Sequence, residues 1–496
     1  MQKQTRFVIV GFDGLRPDSI ENDMPVLAKF LNQSHRWTQY LASFPTETYV
    51  NHPSIFSGFK PGQHGIIANA YFDRRIDPDK AVFRGNRVDS IMAHESALNG
   101  VVSVPSLGDR LGAAGKTMRV ICANSSGSTR LQHIHADRYD GHMNCCVHDL
   151  SLAIPACERE ALQAKWGGGN PLSFPDFVGT EMVADIFFEY ELPRGLADVT
   201  VLWIGEPDHS CHEFGINDEK TIAARKVADA TFARIYDWWE REGKNSGVQL
   251  VTMSDHGHGE VSGHADLSAL LREKGYNVVR GKDFSEGKAP DNYDIVMVGD
   301  YACGLWFKDP TAEKLADVRD ILMASPDCGM IFSQPSTDAV EGLVEGTFSE
   351  TLVFSDNERG PDLRVIYRDD PITGTITMEK SIDIGCSNHG GLLPQAIKSV
   401  LAIAGDQFNA DKKIHEQPAG HDDFATTVMA ILGLLDDENT LQPVPTARIL
   451  TEAIKNEPVS ETDHEYLQLT HGSFVQYLKR VHYHGHTYVR EGARKV

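Results

Sequence analysis

Two threonines stand two positions apart in the stretch LASFPTETYVNHPSIFSG, which covers residues 41–58. A hydroxyl just before a helix can cap it by accepting a backbone N–H bond, or can act as a nucleophile when a bound metal lowers its pKa. The stretch by itself allows either role for Thr46 and for Thr48. The choice depends on whether other parts of the chain bring a metal site to these residues.

Carboxylates and imidazoles of the kind that bind metals occur in four short segments, VGFDG, EPDHSCHEFG, SDHGHG and SNHGG. Zinc is bound by aspartate and histidine, manganese accepts these groups less specifically, and calcium would require more oxygen ligands. The candidate ligands are Asp13, Asp208, His212, Asp255, His256 and His389. This set is large enough for two ions, so we expect two Zn²⁺, with Mn²⁺ as the alternative.

Three of these aspartates follow apolar runs that are typical of strands buried on both faces. The runs lie in RFVIVGFDG, DVTVLWIGEPD and VQLVTMSDHG; a fourth run is MRVICAN, and TIAARKVADATFARIYDWWEREGK has the apolar spacing of a helix. Strands alternating with helices predict an α/β fold in which helices cover a largely parallel sheet. Because ligands bind outside the carboxyl ends of such strands, we expect Asp13, Asp208 and Asp255 to converge there.

The composition is that of a folded globular protein, with 496 residues, 41% hydrophobic and 24% charged residues and a net charge of −23. The acidic balance argues against a nucleic-acid polymer as partner, whereas a metal-lined site still permits a small phosphorylated or phosphonate substrate. No apolar run reaches the ~18 residues of a membrane span, and the N-terminal stretch lacks signal-peptide features. We therefore expect a cytoplasmic protein without a membrane partner, and a homo-oligomer is left open.

Five segments occur in the order found in one known family: VIVGFDGLRPD, FPTETYVNHPSIFSGFKPGQHGIIAN, GEPDHSCHEFG, SDHGHG and NHGG. On these segments the chain resembles the nucleotide pyrophosphatase/phosphodiesterase family of the alkaline phosphatase superfamily. The resemblance covers residues 6 to about 260 and 385 to 435. It implies an alkaline-phosphatase-like α/β fold, with a central β-sheet sandwiched by helices and a smaller inserted cap domain.

The resemblance also implies roles for individual residues. Thr48, which precedes Tyr-Val-Asn-His, would be the nucleophile and Thr46 would not, while Asn69 would donate to a phosphoryl oxygen. The resemblance assigns one zinc, together with the Thr48 oxygen, to Asp13, Asp255 and His256. It assigns the other zinc to Asp208, His212 and His389.

The chain is longer than one hydrophobic core usually supports, so we expect inserted units. The catalytic core is predicted to comprise residues 1–264 and 386–450, with a helical insertion at about 125–195. Residues 265–385, which contain YDIVMVGDYACGLWF and CGMIFSQ, are predicted to form the inserted cap subdomain. Residues 451–496 would form a C-terminal extension whose His-rich end is a solvated terminus or a partner-docking tail.

Departures from the family pattern fall where the substrate is expected. Glu47 stands where a lysine is common, Tyr49-Val50 replaces Phe-Pro, and the last histidine motif reads NHGGLLP. His258 and His264 are additional histidines, which we expect to be structural or to support the metal ligands. The leaving group of the substrate therefore stays open.

The resemblance predicts a two-zinc hydrolase that cleaves phosphodiester or pyrophosphate-type bonds through a covalent phospho-threonine intermediate. One alternative keeps the metal site and cleaves a carbon–phosphorus bond, as phosphonoacetate hydrolases do. An alternative of another class is a non-catalytic protein that binds metal and phosphate. Sulfatases and phosphonate monoester hydrolases of the superfamily are not indicated, because TETYVNH lacks their C/S-x-P-x-R motif.

Diesters are expected to react faster than monoesters. A monoester dianion has one more bare oxygen, and preorganised donors or cations must stabilise its charge. The motif segments offer Arg16 and Lys60 as further cations, and we expect both to be solvated instead of directed to the substrate.

Overall fold

Continuous apolar runs form a ten-stranded central sheet in the computed structural model, which describes residues 4–76, 81–284, 292–435, 440–456 and 460–495. Nine strands follow one another in the spatial order Lys398–Ser399, His35–Leu41, Leu401–Ala404, Val248–Met253, Arg6–Phe12, Val199–Ile204, Met118–Ala123, Met143–Cys146 and Asp149–Ile154. The tenth strand, Ile414–Gly420, pairs with His35–Leu41.

Four parallel strands form the centre of this sheet. In spatial order they are Val248–Met253, Arg6–Phe12, Val199–Ile204 and Met118–Ala123. Phe12 is level with Ile204, and Gly11 is level with Met253. The carboxyl ends of these strands therefore meet at one edge of the sheet, and Asp13 follows the central strand at that edge.

Helices cover both faces of the central sheet, because successive strand residues point to opposite faces. In the strand Arg6–Phe12, Val8 and Val10 face one helical layer, and Phe7 and Ile9 face the other. The first layer consists of Pro25–Gln33, Phe177–Ile186 and Glu219–Trp238. The second consists of Thr48–Ser57, Leu107–Ala113 and His421–Ile431. The predicted α/β fold with a sheet between helices is confirmed.

Smaller sheets extend from the central one. A four-stranded sheet contains Asp369–Asp370, Thr375–Met378, Gly259–His264 and Ser387–Asn388. A six-stranded sheet contains Val278–Arg280, Ile295–Val298, Ala302–Phe307, Leu363–Tyr367, Cys328–Ser333 and Phe348–Ser349. A two-stranded sheet contains Ala70–Phe72 and Val82–Arg84. Because the four-stranded sheet takes strands from both sides of the predicted boundaries, residues 265–385 are joined to the core by strand pairing, and the division into core and cap stays a prediction.

The remaining α-helices are mostly short. They are Ile20–Asp23, Pro61–His64, Val88–Leu98, Ser126–Gln132, Ala156–Trp166, Asp208–Phe214, Leu267–Glu273, Ala312–Ala324, Pro394–Ile397 and Thr451–Ile454. Within the described ranges, none of the helices combines the length and apolarity that a membrane crossing requires.

The stretch 125–195 differs from the predicted helical insertion. It contains helices, but Met143–Cys146 and Asp149–Ile154 form a hairpin that extends the central sheet. The first of these strands has four residues, and all of them are buried. A run this short shows no alternation from which a strand could be recognised.

The C-terminal segment is a folded element, so the predicted solvated terminus is wrong. Its antiparallel strands are Asp463–His471, Phe474–Tyr483 and His486–Arg494. Phe474, Leu478 and Val481 are buried in one apolar cluster with residues of the six-stranded sheet. Burial alternates along residues 474–478, but the residue types do not show this period, because Gln476 is buried and Val475 is only partly buried.

Candidate active site

The predicted nucleophile is the first residue of the helix Thr48–Ser57. Thr48 is 4% exposed, and its Oγ1 lies 3.0 Å from His256 Nε2 and 3.3 Å from Asp13 Oδ1. The N-terminal end of a helix favours negative charge through the unpaired backbone N–H groups and the helix dipole. The fold therefore puts the Thr48 hydroxyl among candidate metal ligands and where an oxyanion is stabilised.

Thr46 points to a different part of the site. Its hydroxyl donates to the Gly391 carbonyl at 2.9 Å and accepts the Gly390 N–H at 3.0 Å. Its own carbonyl accepts from His389 Nδ1 at 2.8 Å. Thr46 thus holds the loop that carries His389, and its hydroxyl is already engaged.

Asp13, Asp255 and His256 form a fully buried cluster beside Thr48, and their ligand atoms lie within 4.8 Å of one another. His256 Nε2 is 3.6 Å from Asp13 Oδ1 and 3.4 Å from Asp255 Oδ2. The other ring nitrogen, Nδ1, lies 3.2 Å from the Gly257 carbonyl, which can only accept a hydrogen bond. The neutral ring therefore carries its hydrogen on Nδ1 and directs the Nε2 lone pair at the carboxylates.

Two donors orient the Asp13 carboxylate. Its Oδ2 accepts from Trp203 Nε1 at 2.9 Å and from Asn124 Nδ2 at 2.5 Å, which leaves Oδ1 toward Thr48. The Trp203 ring occupies the space beside Gly11, where any Cβ would lie 2.0 Å from the ring. Sequence reasoning missed Asn124, although its place at the end of the fourth apolar run was the available signal.

Asp255 presents one free oxygen to the cluster. Its Oδ1 accepts N–H bonds from Gly14 and His256, both at 3.1 Å. Among the described residues, Asp255 Oδ2 has no hydrogen-bond partner, and neither has His52 Nε2, which lies 3.7 Å away. His52 was not predicted as a site residue, and its imidazole is also fully buried.

A second cluster surrounds Asp208, the first residue of the helix Asp208–Phe214. Its Oδ1 lies 3.2 Å from His212 Nε2, which is one helical turn away, 3.0 Å from His258 Nε2 and 3.5 Å from His389 Nε2. The rings of His256 and His389 stack with centroids 3.7 Å apart. The two clusters are therefore in contact and form one site.

The two clusters differ in where protons are held. Burial, together with the charges of Asp255 and Asp208, raises the pKa of Asp13 well above its usual range. Burial and the Asp208 charge raise the pKa of Asp255 to about 8. Burial also acts to raise the pKa of Asp208, but the imidazoles of His212 and His258 outweigh it, and the net pKa is low. Asp13 and Asp255 therefore ionise together most readily beside a cation.

The donor set fits a metal ion. Three buried atoms, Asp208 Oδ1, Asp255 Oδ2 and His258 Nε2, have no hydrogen-bond partner in the part of the chain that the structure describes. A buried polar atom left unpaired costs about 1–3 kcal/mol, so a cation bound by these atoms would remove a substantial penalty. Carboxylate oxygens and imidazole nitrogens are the ligands zinc takes in proteins.

Asn69 lies beside the nucleophile through its contact with Tyr49. Its side-chain Oδ1 accepts the backbone N–H of Tyr49 at 2.9 Å, and the backbone N–H of Asn69 donates to the Glu47 carboxylate. Burial raises the pKa of Glu47 to about 7. The engaged Oδ1 fixes the orientation of the carboxamide, so its NH₂ remains the donor group; its donation to a phosphoryl oxygen stays a prediction.

The expected solvation of Arg16 and Lys60 is wrong. The Arg16 guanidinium pairs with Asp18 and donates to the His258 carbonyl at 3.3 Å, while Lys60 donates to Asp422 at 2.7 Å. The two side chains are 18% and 19% exposed. Both cations are therefore held by protein groups.

His264 lies outside both clusters. Its Nε2 is 2.7 Å from the Ile382 carbonyl, which agrees with the structural role expected from the sequence. His258 is fully buried and its Nε2 faces the Asp208 carboxylate, so its expected role in supporting the metal ligands stays a prediction.

Comparisons with known proteins agree on one family. The sequence profile described as type I phosphodiesterase/nucleotide pyrophosphatase matches residues 7–383. A venom phosphodiesterase of Macrovipera lebetinus is 23% identical over 265 residues, which are 52% of this chain and 26% of that protein. The bis(5'-adenosyl)-triphosphatase ENPP4 of Bos taurus is 36% identical over 69 residues, 14% of this chain and 15% of that protein. The alignments thus span about a quarter or less of these relatives.

The fold is also found among solved structures. Murine ectonucleotide pyrophosphatase/phosphodiesterase 5 superposes with a TM-score of 0.60 at 16% sequence identity, covering 86% of this chain and 95% of that chain. The human protein of the same name gives a TM-score of 0.56 at 17% identity over the same shares. At this identity the likeness concerns the fold alone.

Proposed function

Because the chain belongs to the type I phosphodiesterase/nucleotide pyrophosphatase family, we propose that it is a metal-dependent hydrolase of phosphodiester or pyrophosphate-type bonds. Thr48 is the proposed nucleophile. One observation carries this proposal: the Thr48 Oγ1 lies 3.0 Å from His256 Nε2 and 3.3 Å from Asp13 Oδ1, at the N-terminal end of a helix. Such an arrangement suits an activated hydroxyl better than a capping one.

The proposed cofactors are two Zn²⁺ ions. Asp13, Asp255 and His256 would hold one of them together with the Thr48 oxygen, and the other would be held by Asp208, His212 and His389. When bound, such a pair lowers the pKa of a hydroxyl and stabilises the attacking and leaving oxygens of an in-line displacement at phosphorus.

The protein groups position the nucleophile and the phosphoryl group. Thr48 Oγ1 forms a bond to phosphorus while the bond to the leaving oxygen breaks, which gives a phosphorylated or nucleotidylated Thr48; water then hydrolyses this ester and restores the hydroxyl. The helix start favours the negative charge that develops at Thr48. The Asn69 NH₂ donates to a phosphoryl oxygen, and its contact with Tyr49 keeps it next to the nucleophile.

We propose a preference for diesters over monoesters. A monoester carries one more bare oxygen, which donors or cations must stabilise. Arg16 and Lys60, the basic residues of the motif segments, are engaged with Asp18 and Asp422. Glu47 lies beside Thr48 in the chain and accepts from the Asn69 N–H, so a carboxylate, and not a lysine, lies near the bound phosphoryl group.

A substrate panel tests the proposal. The zinc-loaded protein would be assayed on a nitrophenyl ester of a nucleotide, on nitrophenyl phosphate and on phosphonoacetate, with a chelator-treated sample and zinc add-back as controls. We expect the specificity constant for the diester to exceed that for the monoester by at least about tenfold. A preference of that size for the monoester or for phosphonoacetate would contradict the diesterase proposal. Zinc binding without turnover of any substrate would support the non-catalytic alternative.

A further inference from the structure

His258 adds an imidazole to the cluster around Asp208. It follows the Asp255-His256 pair by two residues, and its side chain is fully buried. Its Nε2 lies 3.0 Å from Asp208 Oδ1, yet both atoms lack a hydrogen-bond partner within the described residues. The ring fits because Gly14 has no side chain: a Cβ there would lie 2.5 Å from His258 Nε2.

Ser387 determines which nitrogen of His258 carries the hydrogen. Its Oγ donates to the Cys211 carbonyl at 2.9 Å and lies 3.1 Å from His258 Nδ1. A hydroxyl has one hydrogen, so the Ser387 oxygen accepts from the His258 Nδ1–H. The neutral ring then presents a lone pair at Nε2 to a carboxylate oxygen. Two acceptors 3.0 Å apart repel each other unless a cation lies between them.

The other two imidazoles of the cluster have the same arrangement. His212 Nδ1 donates to the Ser387 carbonyl at 2.9 Å, and His389 Nδ1 donates to the Thr46 carbonyl at 2.8 Å. Each neutral ring therefore directs an Nε2 lone pair at Asp208 Oδ1. Histidines that bind metals usually donate their second N–H to a carbonyl, a carboxylate or water, which fixes the tautomer. All three rings follow this rule, with a hydroxyl in place of a carbonyl at His258.

We infer that His258 is a fourth protein ligand at the Asp208 ion site, beside His212 and His389. Ser387 is then a positioning residue, because its hydroxyl orients His258. The inference rests on the proposed metal-dependent function. Structural zinc sites have four protein ligands, whereas catalytic ones usually keep three. The Asp208 site should therefore bind zinc more tightly than the site that includes Thr48.

Zinc affinity measures the contribution of His258. Metal-free wild-type protein and the variants His258→Ala and His258→Gln would be titrated with zinc against a chromophoric chelator. Loss of a residue that merely supports a ligand typically weakens metal binding about 10- to 100-fold. We expect both variants to weaken the tighter site by more than about 100-fold. His264→Ala is the matched control, because this nearby histidine contacts a carbonyl outside the clusters, and its affinity should equal that of the wild type.

X-ray absorption spectroscopy distinguishes a residue that binds the zinc ion from a residue that only orients a ligand. X-ray absorption at one equivalent of zinc should report three imidazole ligands in the wild type and two in His258→Gln. Ser387→Ala keeps the backbone carbonyl that orients His212, so it should keep three imidazoles while the affinity falls about 10- to 100-fold. Circular dichroism of the metal-free proteins verifies that each variant is folded, and the glutamine variant serves if the alanine variant is not.

Two imidazoles in the wild type, or an unchanged imidazole count in His258→Gln, would overturn the inference. A loss of affinity below about 100-fold in both variants would also overturn it, because that range fits a supporting residue. The proposed function fails differently. An active diesterase with two imidazoles at this site would contradict only the role of His258, whereas a protein with three imidazoles and no turnover would contradict only the hydrolase.

Discussion

The two ligand clusters of this protein touch each other but use different donors. The first, which we call the Asp13 cluster, contains two carboxylates, one imidazole and a hydroxyl from Asp13, Asp255, His256 and Thr48, and none of these residues is more than 4% exposed. The second, the Asp208 cluster, contains one carboxylate and three imidazoles from Asp208, His212, His258 and His389. In it the His212 side chain is 25% exposed.

Because of this difference, the two clusters suit different roles: the first suits activation of a hydroxyl, and the second suits tight binding of an ion. In the Asp13 cluster the pKa values of both carboxyl groups are raised, so they ionise together most readily beside a cation. In the Asp208 cluster the imidazoles already stabilise the carboxylate. Burial acts to lower the pKa of His212, but the negative charge of Asp208 outweighs burial, so the pKa of His212 is raised. The proposed nucleophile, Thr48, belongs to the first cluster, and the larger number of imidazoles belongs to the second.

The largest difference in activity is expected between variants of the two threonines, because Thr48 belongs to the Asp13 cluster and Thr46 orients His389 of the Asp208 cluster. Thr48→Ala should lower turnover by at least about 1,000-fold, because it removes the attacking oxygen while the carboxylates and imidazoles remain. Zinc content should stay near that of the wild type. Turnover of a diester and elemental analysis of the same samples measure both effects.

Thr46→Ala provides the matched control. The Thr46 hydroxyl contacts Gly390 and Gly391, and the carbonyl that orients His389 remains in the variant. We expect a loss of about tenfold or less in activity and in affinity of the Asp208 cluster for zinc. Equal losses of activity in the two variants would show that the two threonines do not have the different roles proposed for them. A covalent adduct on any residue other than Thr48 would reject the assignment of Thr48 as the nucleophile.

Removing a single ligand from either cluster should affect one ion at a time. Asp208→Asn and His389→Ala should lower zinc content from two ions to one, with a loss of affinity above about 100-fold at the Asp208 cluster. Asp255→Asn should remove the other ion. Elemental analysis after dialysis gives the number of ions, and chelator competition gives the affinity. Unchanged occupancy and activity in Asp208→Asn would reject the assignment of that ligand.

The convergence of the aspartates could be predicted from the sequence, because their positions depend on strand ends. Three apolar runs ending near Asp13, Asp208 and Asp255 place the carboxylates at one edge of a parallel sheet whatever the loops do. The roles of Thr48 and Asn69 required the resemblance to a family, since a cap and a turn explain those residue types equally well.

The role of His258 depends on contacts that no local pattern records. Its orientation is fixed by Ser387, which lies 129 residues away in the chain, and its space is left by Gly14. The strand Met143–Cys146 was missed because a fully buried run of four residues shows no period, and without it the partially exposed strand Asp149–Ile154 was not recognised as its hairpin partner. The pairing of distant polar groups and the short buried strands therefore could not be predicted from the sequence.

The two clusters should differ in how readily their zinc ions exchange for manganese, because their donor atoms differ. Imidazoles favour zinc, while carboxylates and water suit manganese. In the two-zinc protein exposed to excess Mn²⁺, we expect the ion of the Asp13 cluster to exchange first, with a preference for zinc over manganese roughly tenfold lower than at the Asp208 cluster. Electron paramagnetic resonance of the manganese and elemental analysis measure the exchange. Asp255→Asn, which lacks that site, should take up manganese only at roughly tenfold higher Mn²⁺ concentration. Exchange at the concentration that suffices for the wild type would contradict the difference between the clusters.

The smallest expected effect is a difference in how pH changes the stability of the metal-free protein. The pKa of Asp255 is raised to about 8 in the folded chain, against about 3.9 when unfolded, so the folded state binds the extra proton between these values. Its contribution to stability is therefore present at low pH and lost as the pH rises, by up to about 1.4 kcal/mol per pH unit between about 5 and 7. Asp13 and His212, with their raised pKa values, add terms of the same sign, whereas the lowered pKa of Asp208 adds stability that is lost on acidification. Urea unfolding with a chelator present should show the free energy of unfolding falling across this range, and a shallower fall in Asp255→Asn, in which the His212 term remains. With zinc bound the fall should disappear, because the cation keeps the carboxylates ionised. An identical slope in wild type and Asp255→Asn would show that Asp255 holds no such proton.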